Sequence, residues 1–160
     1  MPPFRHKISG FLFGLLCLAF AVSVQADEVK RVVWHVDYGD PDRLGRMISS
    51  VNNMTAAYEG ELADYDIRIV FLGAGIRFLT SDPLAKTPFA EDKELKDKRK
   101  QINDRLKSLN KVKLELCNIT VTSVGGVDAK TLLPGVSIVP SGVVEIADLQ
   151  SKGFAYLKAD

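Results

Sequence analysis

Cys117 and His35 carry the strongest nucleophile and base chemistry beyond residue 26 of this chain. A cysteine reacts as its thiolate, and the amides of a loop or helix start lower its pKa below the free value of about 8.5. Such a thiolate attacks disulfides, or accepts a sulfane sulfur and becomes a persulfide. The competing role for a single cysteine is a small buried hydrophobe. On residue type and position alone the two roles weigh evenly. His35 lies among valines in VVWHV. A Cys–His nucleophile pair is one reading, but a histidine inside a strand more often has a structural partner. One cysteine and one histidine are too few for a structural zinc site.

Gly73-Ala74-Gly75 raises a dinucleotide-loop reading, and two features argue against it. Phe78 stands where the third glycine belongs, and the motif follows the second strand instead of the first. These glycines suit a tight strand exit. There is no glycine-rich Lys-Ser/Thr phosphate loop and no Ser/Thr/Gly run after the first strand, so no nucleotide or flavin cofactor is expected. Asp37, Asp40 and Asp42 lie close together, but Asp40 is better placed as a helix cap, and no second acidic cluster completes a hydrolase.

The N-terminal residues read as an export signal. Arg5 and Lys7 precede an apolar run from Phe11 to Val24, and Val24-Gln25-Ala26 fits a cleavage site before Asp27 and Glu28. A spanning helix needs roughly 20 apolar residues, more than this run supplies. Residues 1–26 are therefore expected to be a cleaved signal peptide, and 27–160 one exported, periplasmic domain. Bulky Leu16 before Cys17 argues against a lipoprotein signal. The whole chain has 21 Lys+Arg against 20 Asp+Glu. Loss of Arg5 and Lys7 leaves the mature domain near neutral, with no basic excess to hold nucleic acid or an anionic membrane. Cys17 leaves with the signal, so Cys117 has no partner for an internal disulfide, the usual use of cysteine in a small secreted domain.

Elements alternate along the mature chain. Val29–Asp37 is a β-branched run suited to a strand covered on both faces. Asp40 and Pro41 start a helix whose inner face is Leu44, Met47, Ile48, Val51, Met54 and Tyr58. Asp66–Leu72 is a second strand, followed by a short helical turn over 76–79 and a proline-containing loop. Residues 91–109 form a charge-dense surface helix on Leu95, Ile102, Leu106 and Leu109, and its Lys98-Arg99-Lys100 run is offset by nearby acids. Val112–Leu116 is a third strand closed by Cys117. Residues 118–126 fit neither strand nor helix cleanly. A turn over 128–133 and a strand over 136–139 come next, then a helix capped by Ser141 with Val144, Ile146 and Leu149 inward, and a last strand over 153–157.

This order predicts an α/β fold: a three-layer α/β/α domain on a mostly parallel, roughly five-stranded sheet. Ligands of such sheets bind beyond the strand C-termini. That edge is expected to gather 37–40, 73–75, Cys117-Asn118 and 140–142.

The chain resembles the DsrE/DsrF-like family. The resemblance is carried by VVWHVDYGDP, SSVNNM, DIRIVFLGAGIRFL, LELCNIT and SGVVEIADLQSKGFAYLKA, in that order over most of the mature domain. It implies a compact α/β/α fold and homo-oligomers, often trimers or hexamers. In members that relay sulfur, the cysteine matching Cys117 carries it as a persulfide. The expected function is periplasmic sulfur handling on the Cys117 thiolate, supported by Asn118 and neighbouring amides, with a donor or acceptor protein as partner. The alternative is a non-catalytic small-ligand or scaffold protein with a structural cysteine.

Overall fold

The structure is a computed structural model, and it describes residues 29–159. The expected signal peptide, with Cys17, lies outside the described residues. Five strands alternate with four α-helices: β1 (Lys30–Val36), α1 (Pro41–Gly60), β2 (Tyr65–Phe71), α2 (Lys93–Lys107), β3 (Val112–Cys117), α3 (Asn118–Ser123), β4 (Val136–Val139), α4 (Gly142–Ser151) and β5 (Ala155–Lys158). A 3₁₀ helix over Gly73–Phe78 follows β2, and a shorter one over Ala129–Thr131 precedes β4. The strands form one sheet in the order β4-β3-β2-β1-β5, and every pairing is parallel.

That order decides which face each helix covers. From β1 to β4 the chain steps always in one direction across the sheet, then returns past every strand to reach β5. Right-handed crossovers therefore put α1, α2 and α3 on one face and α4 on the other. Burial agrees. Trp34, Val36, Ile69 and Phe71 pack with Leu44, Met47 and Ile48 of α1, Leu95 and Ile102 of α2, and Val121 of α3. The alternate residues Val33 and Val70 pack with Ile146, Leu149 and Phe154. Both parities of β1 are buried, which is why its sequence is a continuous apolar run.

Local chemistry sets the helix starts. The Asp40 carboxylate accepts the amides of Asp42 and Arg43 at 2.8 and 3.0 Å, with Pro41 at the first helical position. Asp92 caps α2 by accepting the Leu95 amide at 2.8 Å. Arg99 does not join a solvated basic run: its guanidinium donates to the carbonyls of Arg77 and Thr80 and pairs with Glu91.

Three local expectations are corrected. Residues 118–123 form the short helix α3, which Gly125 and Gly126 end with φ of +86° and +95°. Val144 is 54% exposed. Gly142, Ile146 and Leu149 set the inward phase of α4. Val144, two residues before Ile146, falls about 200° away at 3.6 residues per turn. Ser141 occupies the cap position of α4, but its side chain makes no capping hydrogen bond.

Candidate functional site

Neighbouring strands β3 and β4 deliver the chain to opposite faces. After Cys117 it turns into α3, whose Val121 joins the core beneath α1 and α2. After β4 it turns into α4 on the other face. A crevice between two strands whose exits diverge is where open α/β sheets bind ligands. Cys117 lies in register with Val139 on β4, at that divergence.

The sulfur is surrounded by donors from both exits. It makes no capping hydrogen bond to the α3 amides. Even so, the amides of Gly142, Thr120 and Ile119 and the Thr120 hydroxyl lie close enough to favour its charged form. Burial is the largest single influence and pushes the thiol up, yet these donors together outweigh it, and the pKa falls below its ordinary value. Thr120 is buried, and its oxygen accepts the Gly73 amide at 2.9 Å. With that lone pair engaged, the hydroxyl proton is free for the sulfur. Gly142 is a close-approach position. A Cβ there would stand 3.1 Å from the Cys117 Cβ and 3.0 Å from Leu72 Cδ2. Only glycine brings the first amide of α4 this near the thiol without displacing a neighbour. Cys117 itself is 5% exposed.

The glycines after β2 have structural work. Gly73 takes φ +53° as the chain leaves the strand. A Cβ on Gly75 would stand 2.5 Å from the Val36 carbonyl oxygen, which accepts the Leu72 amide at 2.9 Å. These contacts account for both glycines as a strand exit.

The expected edge residues divide into two groups. Gly142 meets Cys117, and Gly73 joins them through Thr120. Asp37 instead pairs with Lys158 at 2.7 Å, beside His35. The His35 ring bonds the Tyr156 hydroxyl at 2.8 Å, on β1, two strands from Cys117. Burial is the main influence on its pKa and lowers it, against the pull of Asp37. His35 and Cys117 thus form no nucleophile pair. Asp42 pairs with Lys98 on α2. Asn118 begins α3 with its side chain exposed.

Thr120 was not singled out from sequence. Thr120 carries a readable signal: it is the third residue after a strand-end residue that caps a helix, a spacing from which side chains reach back to the cap. Gly142 was expected at the Cys117 edge as part of 140–142, but its approach to the thiol depends on which strand lies beside β3.

A thiol among four donors at a strand-end crevice can serve as a stabilised thiolate. No curated protein matches the chain significantly. A solved structure of a protein of unknown function from Methanobacterium thermoautotrophicum is 29% identical, with a TM-score of 0.57, covering 81% of this chain and 98% of that one. The model of the DsrE/DsrF-like family matches residues 30–159, essentially the whole described domain. With its all-parallel five-stranded sheet and its match from the first strand to the last, this chain belongs to the DsrE/DsrF-like family.

Proposed function

We propose that this is a periplasmic sulfur-handling protein in which Cys117 accepts a sulfane sulfur and passes it on as a persulfide. The observation that carries this reading is the convergence of Gly142, Thr120 and Ile119 on the Cys117 sulfur, which favours the thiolate. Membership of a family associated with sulfur relay supports it. In the step proposed, the thiolate attacks the outer sulfur of a donor persulfide R–S–SH. A new S–S bond forms at Cys117, the donor S–S bond breaks, and its electron pair leaves as the thiolate R–S⁻. The proton stays on the transferred sulfur, and no external oxidant or reductant is required. Transfer to an acceptor thiolate repeats the exchange. Export expected from residues 1–26 and a homo-oligomer of three or six chains belong to the same reading.

The 5% exposure of Cys117 favours a second reading, a scaffold or small-ligand protein in which the cysteine is packing. Mass spectrometry of the purified mature chain after polysulfide treatment separates the two. The sulfur reading expects an adduct of about 32 Da, one sulfur atom, removed by reductant and absent in Cys117→Ser. No adduct, together with iodoacetamide alkylation no faster than in the unfolded chain at neutral pH, would establish the scaffold reading instead.

A further inference from the structure

The donors around Cys117 reach it by different routes. Ile119 and Thr120 follow it directly in the chain, so α3 delivers their amides by covalent continuity. Gly142 belongs to another segment and has to be held in place by tertiary contacts. The apolar anchors of α4 do not hold its first turn. Ile146 and Leu149 lie one and two turns further on, while Val143 and Val144 are 62% and 54% exposed. Beyond the close packing of Gly142 on Leu72 and Cys117, the side-chain contact that draws this first turn inward is ionic. Glu145 Oε1 lies 3.6 Å from Arg68 Nη1, and the same nitrogen lies 3.1 Å from Glu115 Oε1.

Glu115 is 5% exposed and stands two residues before Cys117. Two residues apart on a strand share one face, so Glu115 and Cys117 both point toward α4. Glu115 Oε2 has no hydrogen-bond partner. Arg68 is itself fixed. Its Nη2 and Nε donate to Asp66 at 3.2 and 3.4 Å, and Lys113 holds the same carboxylate at 3.1 and 3.2 Å. Its guanidinium carbon lies 5.3 Å from the ring centre of Phe154, the residue between α4 and β5. One side chain on β2 thus touches the strand that carries the thiol, the first turn of α4 and the segment just beyond that helix. Without it, the Glu115 and Glu145 carboxylates on β3 and α4 would face each other with only the more distant Lys113 to offset Glu115. In this partly buried cluster only Glu115 is deeply buried, and an ion pair of this kind adds little net stability compared with apolar packing.

We propose that Arg68 is a positioning residue for the Cys117 site. By bridging Glu115 to Glu145 it seats the start of α4 on β3, so that the Gly142 amide reaches the sulfur. This rests on reading Cys117 as a working thiolate.

The test is the pH profile of Cys117 alkylation in the mature chain, with folding checked by circular dichroism. Arg68→Met and Arg68→Lys are compared with wild type. A lysine keeps the charge but lacks the planar fork that spans several carboxylates. Positioning predicts that both variants raise the thiol midpoint by about one unit, the scale of one hydrogen bond to a charged group. A shift in Arg68→Met alone would mean that charge suffices, and would overturn the positioning role. Midpoints within about 0.2 unit of wild type in both would overturn it as well, being well under that one-unit scale. If Arg68→Met does not fold, Arg68→Met/Glu115→Gln, which removes the stranded carboxylate, is read in its place with the same expectation. Sulfur uptake by wild type is measured in parallel. Absence of the adduct with shifted variant midpoints would overturn the sulfur reading and leave the role of Arg68 standing.

Discussion

Thr120 supplies two of the four groups that favour the Cys117 thiolate, and its hydroxyl also takes up the Gly73 amide. Thr120→Val keeps the shape and the backbone amide but removes the hydroxyl, both as donor to the sulfur and as acceptor of the Gly73 amide. The expected result is a higher thiol midpoint in the alkylation profile. A loss of about 1–2 kcal/mol in chemical denaturation should accompany it, since the buried Gly73 amide is left without an acceptor. The sign of the thiol's own contribution follows from its lowered pKa. That contribution is absent below the folded pKa, grows as pH rises through it, and is complete above the unfolded value of about 8.5. At this scale the sequence singled out the candidate thiol but not all of its surroundings. Cys117 was legible because it stands alone after a strand. Gly142 was legible only as part of the same sheet edge, because glycine at a helix start reads the same whether or not a thiol lies beside it.

Helix α1 shows how far local rules carry. Asp40, Pro41 and the apolar spacing from Leu44 to Val51 are readable in one dimension, and each does in the fold what its chemistry predicts. Asp40→Ala should cost about 1 kcal/mol at neutral pH, the usual worth of such a cap. The amides of Arg43 and Asp42 hold the Asp40 carboxyl below its ordinary pKa, those of Arg43 most strongly. A carboxylate lowered on folding contributes above its unfolded pKa, and loses that contribution as pH falls through its folded one. The gap between wild type and Asp40→Ala should therefore narrow as pH drops below about 4, where an unperturbed aspartate takes up its proton. Denaturation series at pH 7 and pH 3 check this, and an unchanged gap would refute the capping account. Helix α4 marks the limit of the same rules. Val143, Val144, Ile146 and Leu149 allow more than one inward face, and the phase was settled by what the sheet offered: Val33, Val70 and the ionic pair at Arg68.

For the molecule as a whole, strand order is the decisive quantity. Placing β5 beside β1 sends α4 across the face opposite α1 and α2, and this brings Gly142 and Cys117 together. Ile119, Ile138, Val143, Val144 and Tyr156 stay substantially exposed on the single chain. They lie on α3, on α4 and on both edge strands of the sheet, β4 and β5, and the proposed homo-oligomer is tested in solution. Sedimentation equilibrium of residues 27–160 should give three or six times the mass of one chain. Reductant should not change that mass, because Cys117 is buried and the proposed interface is non-covalent. A monomer at all concentrations would remove the oligomer from the proposed function.

What the sequence determined by itself is the α/β class and, apart from α3, the α-helices and strands. Hydrophobic period, cap residues and strand-breaking glycines act over a few residues and are written in order along the chain. It also singled out one thiol at a strand end. What the tertiary structure alone decided is the company of that thiol. Gly142 reaches Cys117 across 25 positions, and Arg68 reaches Glu115 across 47. Such contacts depend on strand adjacency and crossover hand, which no local pattern encodes. Cys117 thus moved from one residue at a sheet edge to the meeting point of α3 and α4, where opposed chain exits aim their amides at one sulfur.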